Sequence, residues 1–83
     1  MRDIHVKTSA QLKAALRSLR RAQGLSQSKF GSKVGLSQER ISAIENHPER
    51  VTMDQLLTIL MALGMELVIK PRSSPEASPP QSW

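Results

Sequence analysis

A short polar stretch in the middle of the chain carries amide, guanidinium and hydroxyl side chains, which are the groups that can hydrogen-bond to the edges of nucleic-acid bases. It lies in residues 37–46, where Ile41 and Ile44 recur at i, i+3 and therefore share the inward face of a predicted helix. Amide, guanidinium and hydroxyl groups on the outward face can bond to bases in a major groove. Ordinary solvation of a surface helix is the alternative interpretation. The candidate base contacts are Ser37, Gln38, Glu39, Arg40, Ser42 and Ala43.

Two short helices separated by a glycine must position these side chains. Ser26 is a candidate N-cap of the first helix, in which Phe30 and Val34 share one face at i, i+4. Gly35 is expected to end it, because glycine takes the left-handed C-cap conformation without strain. Ser37 is the candidate cap of the second helix. A turn this short makes two helices cross steeply, which predicts a helix-turn-helix arrangement.

This segment resembles the Cro/phage-repressor (Xre-like) helix-turn-helix family over residues 12–70. The resemblance implies an all-α, Cro/repressor-like DNA-binding domain of four to five helices, with helix 3 in the major groove and helix 2 across the backbone. Gly31 departs from the family's usual alanine and is expected to weaken helix 2 by roughly 0.5–1 kcal/mol. The matching residues are Leu25, Ser26, Gln27, Phe30, Gly31, Val34, Gly35, Leu36, Ser37, Gln38, Ile41, Ile44, Glu45 and Asn46.

The same resemblance assigns contacts to the DNA backbone. A glutamine that opens helix 2 grips the backbone in this family, and Gln27 stands at that position. Polar and charged groups near it would fix register without carrying sequence information. Glu39 is ambiguous, because it either accepts from a cytosine or complements the helix dipole. The candidate phosphate contacts are Ser26, Gln27, Ser28, Lys29, Asn46 and Arg50.

Glu45 is expected to be structural rather than catalytic. In the family, an arginine of helix 1, here Arg20, pairs with the glutamate at the end of helix 3. A partly buried fork between a guanidinium and a carboxylate would fix how the two helices meet. Arg17 and Arg21 are weaker candidates for DNA contacts and are expected to be solvated.

The C-terminal part of the domain predicts dimerisation. Thr52 is a candidate cap of helix 4, whose apolar stripe is wider than one domain of this size needs. Residues 65–70 alternate apolar and polar and predict a short β-strand. Its partner would be either the same strand of a second copy or residues 4–6 of the N-terminal arm. The candidate dimer contacts are Leu57, Leu60, Met65, Leu67 and Ile69.

Residues 1–70 are therefore expected to form one DNA-binding and dimerisation domain, and residues 71–83 a disordered tail rich in proline and serine. The strand, the tail and the terminal Trp83 resemble the HipB-like antitoxins of the same family. That resemblance implies a homodimer that binds palindromic operator DNA, represses its own operon and binds a HipA-like kinase toxin. It also implies that Trp83 serves in toxin docking or protease recognition, for which a tryptophan anchor is suited.

The composition of the chain excludes several classes of function. The chain has 83 residues, a formal charge of +5 and no cysteine, which fits a polyanion partner and excludes a disulfide framework or a cysteine-based zinc site. His5 and His47 lack the spacing of metal ligands, so no metal or cofactor is expected. Phe30 and Trp83 are the only aromatic residues, which favours duplex DNA over single strands. No apolar run reaches the roughly 20 residues needed to span a membrane, and we expect a cytoplasmic protein without a membrane partner.

Three other functions compete with an antitoxin. A stand-alone Xre-like regulator would share the DNA-binding surface and have no toxin partner. A protein-interaction module could use the same fold, although the positive charge together with Gln27 and Gln38 argues against it. An enzyme is the least favoured, because the sequence has no cysteine, no His–carboxylate pair at useful spacing and no glycine-rich phosphate loop.

Overall fold

Four α-helices and one 3-10 helix account for the regular structure of residues 3–71, the part of the chain that the computed structural model describes. The α-helices are α1 (Ser9–Ala22), α2 (Gln27–Val34), α3 (Gln38–Asn46) and α4 (Met53–Ala62). The 3-10 helix, Pro48–Arg50, lies between α3 and α4. The predicted helices 1 to 4 are thus all present.

Each of the four α-helices within residues 3–71 has a serine or threonine as its N-cap residue. The hydroxyl oxygens of Thr8, Ser26, Ser37 and Thr52 each accept a hydrogen bond from the backbone N–H three residues further on. Each bond satisfies one of the amides that a first helical turn leaves unpaired. Gly35 ends α2 at φ 76°, the left-handed conformation that the sequence predicted for it.

The core lies where α1, α2, α3 and α4 meet. Its apolar side chains are almost fully shielded from solvent, and those of α2 and α3 lie on the faces that the helical periodicity predicted. Two of these buried side chains, Ile41 and Ile44, belong to α3, so the opposite face of α3 faces solvent. The buried apolar residues are Leu16, Phe30, Ile41, Ile44, Ile59, Leu60 and Leu63.

The segment after α3 contains a proline that ends one helix and begins the next. His47 leaves the helical region, with φ −137° and ψ 65°, as the following proline requires. Pro48 then opens the 3-10 helix and is itself buried. A proline is favourable at the first position of a helix because its fixed φ suits the turn and its missing N–H is not needed there.

Residues 65–70 also differ from the prediction, since they lie outside any helix or strand. A strand is defined by the ladder it forms, and among residues 3–71 no backbone hydrogen bond joins this segment to the N-terminal arm. The two segments nevertheless approach, because Lys70 Nζ lies 3.6 Å from Asp3 Oδ2. Pairing of this segment across a dimer stays a prediction.

Candidate DNA-binding surface

Helix α3 presents one apolar face to the core and one polar face to solvent. Ile41 and Ile44 are buried, whereas Gln38, Glu39 and Arg40 are exposed. Of the remaining candidate base contacts, Ser37 and Ala43 are exposed and Ser42 is half-buried. Ser37 Oγ accepts from Arg40 N at 3.0 Å, which leaves the hydroxyl proton free to donate to a ligand. The face is therefore accessible along its length.

The side chain of Arg40 bonds to a residue of another helix. Its Nη2 donates to Gln55 Oε1 of α4 at 2.6 Å. Sequence reasoning missed this contact, because residues 40 and 55 belong to different helices and their meeting depends on how those helices cross. Arg40 is thus bonded through one nitrogen, and its Nε and Nη1 groups can donate to a ligand.

The candidate phosphate contacts are mostly exposed side chains around α2 and the end of α3. Ser26 Oγ caps α2 by accepting from Lys29 N at 3.0 Å, so its proton remains available as well. Gln27 is half-buried, whereas Ser28, Lys29, Asn46 and Arg50 are exposed. Asn46 Nδ2 lies 3.4 Å from Ser42 Oγ, which brings a candidate phosphate contact next to a candidate base contact.

The predicted pair of Arg20 and Glu45 is confirmed as a two-pronged fork. Arg20 Nε donates to Glu45 Oε2 at 2.5 Å, and Arg20 Nη2 donates to Glu45 Oε1 at 3.2 Å. Arg20 is 6% exposed and Glu45 is 3% exposed. The third nitrogen, Arg20 Nη1, donates to the carbonyl of Leu25 at 2.7 Å. The fork therefore ties α1, the α1–α2 loop and α3 together, a structural role rather than a catalytic one.

Two further side chains converge on the same carboxylate. Gln27 Nε2 donates to Glu45 Oε1 at 3.2 Å, and Arg17 Nε lies 3.8 Å from that oxygen. Arg17 Nη2 also donates to Asn46 Oδ1 at 3.1 Å. The expectation that Arg17 is simply solvated is wrong, because its i, i+3 spacing from Arg20 places both guanidinium groups over the end of α3. Glu45 thereby orients Gln27, whose second amide N–H is left for a ligand.

A weaker pair lies beside Arg50. His47 Nδ1 and Glu49 Oε2 are 3.2 Å apart. The backbone amide of Glu49 lowers the pKa of its carboxyl group below the ordinary value, and the His47 ring acts in the same direction. Both side chains are roughly half exposed, so solvent screening leaves this pair little influence on stability.

The candidate dimer contacts divide into two groups. Leu57, Leu67 and Ile69 are exposed, and Ile69 reaches 88%. Leu60 is only 8% exposed and Met65 is half-buried, and both pack in or against the core of the single chain. Sequence reasoning missed Met53 and Met61, which flank Leu57 at i−4 and i+4 and are exposed. Their i, i+4 spacing from Leu57 could have indicated that the three residues share one face of the helix.

Within residues 3–71, no helix is long and apolar enough to cross a membrane. The same residues contain no group of three or more histidine, cysteine, aspartate or glutamate side chains that could hold a metal ion. Trp83 and the rest of residues 72–83 lie outside the described part of the chain, so the expected tail and its terminal anchor stay predictions.

Two capped helices, α2 and α3, are joined by the short turn 35–37, and the second has an accessible polar face; this arrangement defines a helix-turn-helix DNA-binding domain. The family model described as Helix-turn-helix (HTH_3) matches residues 16–69. The chain belongs to this family, which is one of DNA-binding domains and not of enzymes. The predicted fold class and the resemblance to Xre-like proteins are confirmed.

Within that family, the chain is similar to HipB antitoxins. It is 31% identical over 74 residues to Antitoxin HipB of Escherichia coli (strain K12), an alignment that covers 87% of this chain and 84% of the relative. The structure of a HipB–O1–O2 complex matches with a TM-score of 0.71 and 29% identity, covering 80% of this chain and 96% of that one. A HipA–HipB–O2–O3 complex matches with the same TM-score and identity, covering 80% of this chain and 93% of that one.

Proposed function

We propose that this protein is a HipB-like antitoxin that binds duplex operator DNA in a sequence-specific way and represses its own operon. The observation that carries the proposal is that α3 buries Ile41 and Ile44 and leaves Gln38, Glu39 and Arg40 exposed on its outer side. The similarity to HipB antitoxins over most of the chain supports it. The positive charge, together with Gln27 and Gln38, argues against a protein-interaction module.

In this proposal, α3 enters the major groove and α2 lies across the backbone. Gln38, on the first turn of α3, bonds to an adenine, and Arg40 bonds to a guanine or to a nearby phosphate. Gln27 and Lys29, on the first turn of α2, bond to phosphates together with the other candidate phosphate contacts. The net charge of +5 supports association with a polyanion.

Base readout is tested by Gln38→Ala, assayed on the duplex upstream of the protein's own reading frame and on random duplex of equal length. We expect a loss of about 1–3 kcal/mol on the operator and little change on random DNA, because an adenine contact carries specificity. The matched control is Lys29→Ala, which should weaken binding to both duplexes and flatten the salt dependence by about one unit of slope. Equal losses on both duplexes for Gln38→Ala would show that Gln38 does not read sequence.

We further propose that the protein is a homodimer. Met53, Leu57 and Met61 form an apolar stripe at i, i+4, i+8 on the outer face of α4, and Met61 is 74% exposed. A row of large apolar side chains at this spacing is expected to be covered by a partner. Leu67 and Ile69 extend the apolar surface beyond α4. A twofold axis would place two α3 helices about 34 Å apart, so the operator should be palindromic.

The substitution Met61→Glu tests the dimer. It places a charge at the most exposed residue of the stripe and should halve the mass measured by sedimentation equilibrium at micromolar concentration, because a carboxylate buried without a partner in the dimer interface is costly. Met61 is exposed in the single chain, so the fold itself should tolerate the change. Thr58→Glu adds the same charge to another exposed position of α4 and should leave the dimer intact. A wild-type protein that sediments as a monomer would exclude the dimer.

The most specific part of the proposal is that the protein binds a toxin. A HipA-like kinase is favoured because one of the similar solved structures is a HipA–HipB–O2–O3 complex, whose HipB chain is matched over 93% of its length. The same match favours the antitoxin over a stand-alone Xre-like regulator. Docking of the kinase through Trp83 remains a prediction, as does recognition of Trp83 by a protease.

A further inference from the structure

A single hydrogen bond connects the DNA-facing side of α3 to the first turn of α4. Arg40 Nη2 donates to Gln55 Oε1 at 2.6 Å, a short bond of the kind that a charged donor makes. Arg40 is exposed and Gln55 is half-buried. Within residues 3–71 the Arg40 guanidinium makes this one polar contact, so its Nε and Nη1 groups remain available to a ligand.

The local sequence around Gln55 predicts a different contact. Thr52 caps α4, and Gln55 stands three residues later, which is the capping-box pattern in which the glutamine side chain bends back to the N–H of the cap. One half of the box is present, since Gln55 N donates to Thr52 Oγ1 at 3.1 Å. The other half is replaced, because Gln55 Oε1 accepts from Arg40 instead. The side chain of Gln55 therefore bonds to α3 and not to the N-terminus of its own helix.

We propose that Gln55 is a positioning residue for base recognition, which holds the Arg40 guanidinium so that its remaining donors address one guanine. The proposal rests on the DNA-binding function proposed above. A free arginine side chain has many rotamers, and restraining it before binding lowers the entropy lost when the complex forms. The amide oxygen of glutamine is a neutral acceptor, so it orients Arg40 without cancelling the charge that a guanine attracts. Specificity thus depends on α4 as well as on α3.

The test compares Gln55→Met with the wild-type protein. Methionine keeps the length and helix propensity of the side chain and removes the acceptor. Affinities are measured for the duplex upstream of the protein's reading frame and for variants in which each G·C pair is replaced in turn. For the wild-type protein, one replacement should cost about 10-fold or more, typical of a mismatched base pair. For Gln55→Met we expect about a fivefold loss on the unaltered duplex, the equivalent of one hydrogen bond, and a smaller penalty at that one G·C pair.

A double-mutant cycle with Arg40→Ala separates positioning from a general structural effect. In the Arg40→Ala background, Gln55→Met should change neither the affinity nor the pattern of base preference, because the group it positions is gone. An equal loss in both backgrounds would overturn the proposal and make Gln55 a stabilising residue only. Gln55→Leu serves as a second variant and should behave as Gln55→Met does.

The outcomes also distinguish this inference from the proposed function. If the wild-type protein fails to discriminate its upstream duplex from random duplex, the DNA-binding proposal fails and the positioning role fails with it. If the wild-type protein discriminates and Gln55→Met retains the full penalty at every G·C pair, only the positioning role of Gln55 is overturned.

Discussion

Replacement of Glu45 with alanine should lower the free energy of unfolding by about 3–5 kcal/mol, because it leaves the buried Arg20 guanidinium without its counter-charge. Arg20 is 6% exposed, so water cannot replace the two lost hydrogen bonds without disrupting the packing of α1 on α3. Urea unfolding followed by circular dichroism measures the change, with a constant m-value as the check on two-state behaviour.

The matched control for this prediction is Arg21→Ala. Arg21 is the exposed neighbour of Arg20 on α1, and its loss should change stability by no more than about 0.5 kcal/mol. The double variant Arg20→Met/Glu45→Leu removes both charges and should recover much of the loss, since apolar side chains of similar size can replace a buried pair. If Glu45→Ala costs no more than Arg21→Ala, the fork does not stabilise the fold.

The double variant also separates the two roles of Glu45. Besides closing the fork, this carboxylate accepts from Gln27 and lies close to Arg17. With stability largely restored, any remaining loss of DNA affinity would come from the Gln27 amide and the Arg17–Asn46 contact that Glu45 orients. The buried Arg20–Glu45 pair and the half-buried amide of Gln27, a candidate phosphate contact, thus share one acceptor.

Sequence patterns predicted those features of the fold that depend on residues close together in the chain. The caps Ser26, Ser37 and Thr52 and the buried faces of α2 and α3 follow from residue type and spacing within one or two turns. The Arg20–Glu45 fork came from the family resemblance, since its partners lie 25 residues apart. Contacts such as Arg40–Gln55 and Arg17–Asn46 were missed, because they depend on where two helices cross and on which rotamer each side chain takes there.

The dimer surface shows a second limit of sequence patterns. The wide apolar stripe of α4 indicated more surface than one core needs, but the pattern cannot assign each residue to the core or to a partner. The structure buries Leu60 in the core and leaves Leu57 and Met61 outside. Residues 65–70 illustrate the same limit, since alternation predicts a strand without supplying the neighbour that its backbone must bond to.

Gly31 is the position at which sequence propensity and structure give opposite expectations. By propensity alone, Gly31→Ala should strengthen α2 by roughly 0.5–1 kcal/mol. In the structure, a Cβ at residue 31 would overlap the carbonyl oxygen of Leu36 and lie 3.3 Å from the carbonyl carbons of Leu36 and Ser37. These are backbone atoms of the α2–α3 turn, and Leu36 N also donates to Gly31 O at 2.8 Å. The turn is therefore wrapped against the bare Cα of Gly31.

Gly31→Ala should accordingly destabilise the protein by about 1–3 kcal/mol, the typical cost of adding a methyl group where the backbone must shift to admit it. That cost exceeds the gain in helix propensity, so the net change is a loss, measured by urea unfolding. Since the shift moves α3 relative to α2, operator affinity should fall as well. Ser32→Ala, at the next and exposed position of α2, removes a poorer helix former without adding a contact and should be neutral or slightly stabilising. If Gly31→Ala stabilises as much as Ser32→Ala does, the turn can relax at no cost, and the glycine is only a helix-weakening substitute for the family's alanine.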